Sequence, residues 1–156
     1  KVCVKNSGEI LDLKLAEDQK EFVANNTDSL ACAYLALTDG KFVQPFGIYD
    51  DTTPIGFAMI GHNVFDFEGC PKAYKHSYDL WRFMIDHKYQ GQGYGKDALK
   101  LVIDYMLSFP DGEEDCLATC YVENNPIAKN LYLSFGFEPN GESYEDEIIL
   151  VLPIKE

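Results

Sequence analysis

The sequence predicts a mixed α/β fold, with a mostly antiparallel central sheet of six to seven strands flanked by about four helices. Short apolar segments bounded by Gly, Pro, Asn or Asp alternate along the chain with stretches whose apolar residues recur at helical spacing. The 156 residues contain no repeat, linker or low-complexity segment. Residues 1–156 are therefore expected to form a single domain around one sizeable core.

Two helices are predicted before the main part of the sheet. Residues 2–4 are predicted as a short strand, and residues 9–15 as the first helix. The second helix is predicted over residues 29–37, where apolar side chains recur at helical spacing. Thr27 or Asp28 is the expected cap of this second helix.

A hairpin and a long irregular segment follow. The predicted strands at residues 46–49 and 55–61 are joined by an acidic, proline-containing link, which favours antiparallel pairing. Residues 62–76 show neither a helical nor a strand period. Because a loop of this length in a compact domain is often functional, we expect it to flank a ligand pocket.

A strand, a glycine-rich loop and a helix form the centre of the pattern. Residues 80–85 are an apolar, aromatic-rich run typical of a buried strand. The loop over residues 90–95 reads QGQGYG, and the helix after it stops before Pro110. Glycines let the backbone approach a ligand and point successive N–H groups into one concavity. Together with a helix start, such a loop favours an anion, usually a phosphate.

The loop differs from two common phosphate-binding patterns. Its glycine spacing is not the dinucleotide fingerprint, and no acidic residue ends a second strand about twenty positions later. No Gly-Lys-Ser/Thr closes it, as a nucleotide-binding P-loop requires. On the residues alone, a glycine-rich connection without a ligand remains the alternative.

The last third of the chain predicts a strand, a helix and two closing strands. Residues 117–122 are short, apolar and bounded by turns. Asn125 can cap the next helix, with Pro126 at its first position. After this helix a strand leads into a predicted turn at residues 139–141, and residues 148–152 form the last predicted strand.

Composition excludes several classes of function. No apolar run reaches the length of about 18 residues that a membrane span needs, so we expect no membrane partner. The formal net charge of −13 repels nucleic acid. The same charge would attract a cationic acceptor, although a solubilising acidic surface explains it equally well.

The five cysteines and three histidines show neither a disulfide nor a metal-binding pattern. The cysteines are odd in number, dispersed and without a Cys-x-x-Cys, which favours reduced thiols. Residues 1–5 lack the apolar region of a signal peptide, so we expect a cytoplasmic protein. His62, His76 and His87 have no metal-ligand spacing, and no metal site is predicted.

Two motifs resemble those of the GNAT superfamily of acetyl-CoA-dependent N-acetyltransferases. Residues 90–95 resemble its pyrophosphate loop, Arg/Gln-x-x-Gly-x-Gly/Ala. Residues 124–137 resemble its Asn-x-x-Ala-x-x-Leu-Tyr-x-x-x-Gly-Phe motif, at the expected distance downstream. The resemblance covers residues 45–152, and residues 80–95 are most similar to the bacterial spermine/spermidine (diamine) acetyltransferase branch. It implies the GNAT fold, in which the central strand and the next one splay apart to admit the cofactor.

The resemblance also implies how acetyl-CoA is bound and used. Tyr132 would protonate the thiolate of coenzyme A as it leaves, a role that suits a phenol with a reference pKa of about 10. A tyrosine packed on the core face of its helix is the alternative. A backbone N–H near Met84 would polarise the thioester carbonyl. The residues expected to contact acetyl-CoA are Phe83, Met84, Ile85, Gln90, Gly91, Gln92, Gly93, Tyr94, Gly95, Lys96, Asn124, Asn125 and Lys129.

The expected acceptor is a primary amine of a small cation, a polyamine or diamine such as spermidine or spermine, attacking directly in a ternary complex. Glu21, Asp79 and Trp81 are the predicted acceptor contacts. The general base remains open between Glu21, Asp79 and Glu68, and Arg82 is expected to pair with a buried acid. The cysteines lie in no nucleophile motif, so a covalent acetyl-enzyme is not expected.

Two other functions remain open at this point. The acceptor could instead be an amino acid, an aminoglycoside-like antibiotic, or a protein N-terminus or lysine. Alternatively, the chain could be a regulatory module that binds coenzyme A without turnover. The resemblance also implies a homodimer.

Overall fold

A computed structural model describes residues 1–154 as one six-stranded sheet with four α-helices, as the sequence predicted. The strands are β1 (Phe42–Asp50), β2 (Thr53–His62), β3 (Ser77–Ile85), β4 (Cys116–Val122), β5 (Glu138–Tyr144) and β6 (Glu147–Pro153). The helices are α1 (Ser7–Leu11), α2 (Asn26–Thr38), α3 (Tyr94–Met106) and α4 (Pro126–Leu133). The strand order is β1-β2-β3-β4-β6-β5.

All neighbouring strands pair antiparallel except β3 and β4, which pair in parallel. These two strands pair only at their first residues, from Ser77 with Cys116 to Asp79 with Ala118. Beyond that point, residues 80–85 of β3 and 119–122 of β4 have no mutual register. The sheet is therefore split at its centre. We call this gap the splay.

Side-chain alternation gives the sheet two differently covered faces. The back face packs against α3 and α4 in a cluster that includes Leu80, Leu99, Leu117 and Tyr132. The front face carries two clusters. One packs strands β1–β3 against α1 and α2, and the other packs β4 and β6 against residues 65–74. The irregular segment predicted before the central strand thus covers the front face beside the splay.

The N-terminal segment differs from its prediction. Residues 2–4 form no strand: Val2 N donates to Pro45 O at 3.0 Å, but Val4 is 95% exposed and has no face to bury. Helix α1 ends at Leu11 instead of residue 15, because the next residues bond to the end of β3. Lys14 N donates to the Asp86 carboxylate, and His87 N donates to Lys14 O.

Two further boundaries were wrong. Helix α2 starts at Asn26 and is capped by Asn25, whose side chain accepts from Asp28 N at 2.8 Å. Asn25 is as good a cap as the predicted Thr27 or Asp28, and propensity alone does not choose between them. The predicted turn at residues 139–141 is a register shift inside β5, and the chain reverses after Tyr144 instead.

Within residues 1–154, no helix is long and apolar enough to cross a membrane.

Candidate active site

The glycine-rich loop lies between β3 and α3, beside the splay. Gly91 and Gly93 have φ angles of 73° and 91°, a conformation that side chains with a Cβ rarely adopt. A Cβ built at either residue would have no heavy atom within 4 Å, so this backbone is open to an approaching ligand. Gly93 is also the N-cap of the 13-residue α3. The loop therefore offers unpaired N–H groups at a helix start, which suits a phosphate.

Gln90 holds this loop in place. Its side-chain amide donates to Ile85 O at 2.9 Å, which ties the loop to the end of β3. The same amide exchanges hydrogen bonds of 2.7 and 2.9 Å with Gln19, in the 3₁₀ turn Glu17–Gln19. Tyr94 adds a tie to the first hairpin, since its hydroxyl donates to Asp50 at 2.6 Å.

The edge of β3 presents free amides to the splay. In an antiparallel pair the hydrogen-bonding groups of successive residues alternate in direction. Asp86 N donates across to Ile55 O of β2, so the N–H of Met84 also points toward β2. The N–H groups of Phe83 and Ile85 then face the splay. These two backbone N–H groups are therefore the candidates for the hydrogen-bond donor that was expected near Met84.

Tyr132 reaches the splay from the back face. Its helix is fixed by Asn125, whose side chain accepts from Ala128 N at 3.1 Å, and by a proline in the first turn. Tyr132 is buried, with a ring edge against Phe137. Burial raises the pKa of Tyr132 and a hydrogen bond with Thr119 acts in the opposite direction, so the phenol is protonated at neutral pH. Thr119 is the first residue of β4 beyond its pairing with β3.

Asp79 lies at the same point on the front face. It is the last paired residue of β3 and only 5% exposed. Burial raises the pKa of Asp79 well above its ordinary range, Arg82 lowers it and Glu147 raises it further. The prediction that Arg82 accompanies a buried acid fits this electrostatic contact. Its Nη1 donates to Trp81 O, whereas its Nε is buried without a hydrogen-bond partner in residues 1–154.

Aromatic side chains form a wall next to Asp79. Trp81 packs edge-on against Phe65, with ring centroids 5.1 Å apart, and Phe65 contacts Tyr74 at 5.0 Å. The guanidinium carbon of Arg82 lies 5.4 Å from the centroid of the Trp81 ring. The predicted acceptor residues Asp79 and Trp81 therefore share one region of the front face.

The structure does not bring Glu21 and Glu68 into this region. Glu21 is exposed in the turn after Gln19, beside the glycine loop, and Glu68 is exposed in the segment before β3. Of the predicted cofactor contacts, Lys96 and Lys129 are exposed on α3 and α4. Residues 1–154 contain no group of His, Cys, Asp or Glu that could hold a metal ion.

Two open cavities lie at the ends of the splay strands. One, of about 440 Å³, follows β4 and contains the predicted cofactor residue Asn124. Its lining residues are Val122, Glu123, Asn124 and Asp146. The other, of about 420 Å³, adjoins the end of β3. Its lining residues are Lys14, Leu15, Ala16, Glu17, Lys20 and His87.

Sequence reasoning did not single out Thr119, Cys120 and Glu147, whereas Tyr74 lies in the segment over residues 62–76 that was expected to flank a pocket. Thr119 and Cys120 lie in a strand that was predicted correctly, but nothing in the sequence marks where its pairing with β3 ends. Glu147 is an acidic residue at the start of an apolar strand, the one signal that could have singled it out.

The sequence matches the acetyltransferase (GNAT) family over residues 10–137. The chain belongs to the GNAT family. It is 32% identical over 152 residues to the spermine/spermidine N(1)-acetyltransferase of Bacillus subtilis, a match that covers 94% of this chain and 91% of that protein. Both findings identify the chain as an N-acetyltransferase.

Solved structures show the same fold. A chimera of the spermidine N-acetyltransferase from Vibrio cholerae and hSSAT superposes with a TM-score of 0.68 at 18% identity, covering 97% of this chain and 92% of that one. A Salmonella typhimurium protein solved with its cofactor acetyl-CoA gives a TM-score of 0.59 at 17% identity, covering 85% of this chain and 76% of that one.

Proposed function

We propose that this N-acetyltransferase transfers the acetyl group of acetyl-CoA to a primary amine of a polyamine or diamine. The observation that carries the proposal is the splay, because three features converge on it. The glycine loop lies at one side, the Tyr132 phenol reaches it from the back face, and Asp79 lies on the front face. The similarity to the Bacillus subtilis spermine/spermidine enzyme supports the choice of acceptor.

The residues around the splay fit acetyl-CoA. The open backbone at Gly91 and Gly93 suits the pyrophosphate, and the free amides of Phe83 and Ile85 suit the pantetheine arm and the thioester carbonyl. When bound, acetyl-CoA supplies an electrophilic carbonyl carbon and a thiolate leaving group. These amides are carried by a β-strand, so they are aligned before the substrate binds.

Asp79 and Tyr132 would divide the proton transfers between them. A protonated amine must lose one proton before it attacks the carbonyl carbon, and the amine nitrogen loses another as the amide forms. We assign the proton lost before attack to the Asp79 carboxylate, which later releases it to solvent, and the proton lost as the amide forms goes directly to solvent. The Tyr132 phenol gives its proton to the thiolate as the carbon–sulfur bond breaks, and solvent restores it. Proton acceptor and donor thus lie on opposite faces of one opening.

A screen of acceptors tests this function. Thiol release from acetyl-CoA is measured with spermidine, spermine and putrescine, beside an amino acid, an aminoglycoside and a lysine peptide. We expect the kcat/KM of the polyamines to exceed that of the other amines by at least about tenfold. This preference corresponds to a difference of about 1.4 kcal/mol. Turnover confined to the other amines would overturn the acceptor. Coenzyme A binding without any turnover would overturn the reaction.

A further inference from the structure

Glu147 lies on the front face of the sheet, at the open end of the splay. It is the first residue of β6 and pairs with Val122 at the far end of β4. Ile149, two residues on, belongs to the front-face cluster with Tyr74, so alternation directs Glu147 to the same face. The side chain is half-buried. Its carboxylate therefore borders the region that holds Asp79.

The neighbours of Glu147 leave its charge without a cation. The Tyr74 hydroxyl hydrogen-bonds the Cys120 sulfur, and the Cys120 thiol hydrogen-bonds the Glu147 carboxylate. A thiol is a weak and uncharged donor. None of the ion pairs found in residues 1–154 includes Glu147. A cationic ligand would stabilise a half-buried carboxylate in this environment.

Asp79 gives an independent indication of a ligand. It is more than nine-tenths buried, and no residue in the described part of the chain donates a hydrogen bond to its carboxyl group. The nearby cation is Arg82, and the nearby anion is Glu147. Neither carboxyl group forms an ion pair with a cation of residues 1–154. A ligand with two positive charges would satisfy both carboxyl groups.

The front face between the two acids carries apolar side chains, among them Tyr74, Ala118 and Ile149. Thr119, which bonds Tyr132, is three residues from Val122, the partner of Glu147, and this corresponds to about 10 Å along a strand. The rings of Phe65, Tyr74 and Trp81 line the same face. Beside Glu147, the cavity of about 440 Å³ opens toward two more acids, Glu123 and Asp146.

We propose that Glu147 binds the non-reacting ammonium group of a diamine or polyamine acceptor, and thereby selects these acceptors over monoamines. The reacting amine lies between Asp79 and Tyr132, and the methylene chain follows the aromatic wall to Glu147. This inference rests on the proposed function and adds the residue that sets the charge requirement of the acceptor.

The test compares kcat/KM for 1,8-diaminooctane and for octylamine, which differ by one ammonium group, in wild type and Glu147→Gln. Glutamine keeps an oxygen that can accept from the Cys120 thiol but removes the charge. A hydrogen bond to a charged group is worth about 1.5–3 kcal/mol. We expect the diamine-to-monoamine ratio of kcat/KM to fall by about 10- to 100-fold, mostly through the KM of the diamine. Glu147→Asp restores part of the ratio, because the charge returns on a shorter side chain.

Glu138→Gln is the matched control, since Glu138 is an exposed acid at the start of the neighbouring strand. It should leave the ratio unchanged. An unchanged ratio in Glu147→Gln, or an equal fall with both amines, would overturn the subsite while the acetyltransferase reaction stands. If wild type acetylates neither amine nor spermidine, the proposed function itself fails.

Discussion

The two faces of the splay are built differently. The back face consists of contiguous motifs: the glycine loop leads directly into α3, and Tyr132 lies in a helix with its own cap and stop. The front face is assembled from four separate segments, which contribute Tyr74, Asp79, Cys120 and Glu147. The back face is apolar around its phenol, whereas the front face buries the carboxyl group of Asp79.

The difference between the two faces matches the different needs of the two substrates, the cofactor and the acceptor. A phosphate-bearing cofactor needs backbone N–H groups, which any sequence with the right glycines supplies. A cationic acceptor needs carboxylates at set distances, which requires particular side chains on several strands. We infer that the back face holds the proton donor for the leaving thiolate, whereas the front face accepts the amine proton and selects the acceptor. Variants of the two faces should therefore affect different kinetic constants.

The largest effect is expected for Tyr132→Phe on the back face. Loss of the proton donor should lower kcat by about 10²-fold or more, with little change in the KM of the amine. Because burial raises the pKa of Tyr132, the wild-type kcat should show no alkaline fall from this group below about pH 10. Steady-state thiol release measures both the fall in kcat and the pH dependence of kcat.

Tyr105→Phe is the control for the tyrosine variant. Tyr105 is a partly buried tyrosine of α3 that packs against Phe46, away from Thr119. It should keep wild-type kcat. A Tyr132→Phe enzyme with wild-type kcat and an unchanged melting temperature would show that another group protonates the thiolate.

A smaller effect is expected for Gly93→Ala in the loop. A Cβ at φ 91° meets no neighbouring atom but forces strained backbone, costing about 1–2 kcal/mol. We expect the KM of acetyl-CoA to rise about tenfold while the KM of the amine stays unchanged. Gly8→Ala, in α1 and without positive φ, is the control. A rise in both KM values would show that the loop also shapes the acceptor region.

The smallest effect is expected for Glu142→Gln, which loosens the front-face segment. The Glu142 carboxylate accepts from Lys72 N at 2.8 Å and Ala73 N at 3.1 Å, beside Tyr74. Partial burial acts to raise the pKa of Glu142, but these bonds and one from Asn140 outweigh it and lower the pKa. The variant should lose about 1 kcal/mol, or about 2–4 °C in melting temperature, at neutral pH.

The pH dependence of this effect has a defined sign. Since the folded-state pKa of Glu142 is lowered, its contribution is complete above the unfolded value of about 4.3 and is lost as pH falls through the lowered pKa. Wild type and Glu142→Gln should therefore converge in melting temperature in acid. Glu138→Gln, on the same strand but exposed, should match wild type throughout. A difference that persists in acid would contradict this account.

Much of the back face could be predicted from the sequence, because its elements are local. The glycine loop, the cap at Asn125 and the proline after it follow from short-range rules. The front face depends on which strands separate and where. Residues 117–122 were predicted as a strand, but the end of their pairing with β3 at Asp79 and Ala118 is a tertiary feature. Glu147 joins the site only through that feature.

The N-terminal errors have the same origin. The helix predicted to residue 15 ends at Leu11, because Lys14 forms hydrogen bonds with Asp86 and His87 instead. Asp86 is 72 residues from Lys14 in the sequence. The strand predicted at residues 2–4 had a suitable composition but no sheet edge that pairs with it over its length. Local propensity gave way to long-range hydrogen bonding at Lys14, and at residues 2–4 it was not enough to form a strand without a pairing partner.

The central claim is that Asp79 on the front face accepts the proton of the amine while Tyr132 acts from the back. The most direct measurement is the pH profile of kcat/KM for spermidine in wild type and Asp79→Asn. Because the pKa of Asp79 is raised, wild-type activity should fall with acid well above the ordinary aspartate value of about 3.9. In Asp79→Asn the rate should drop by about 10²-fold and this acidic fall should disappear. An Asn variant that keeps both the wild-type rate and the acidic fall would contradict the account.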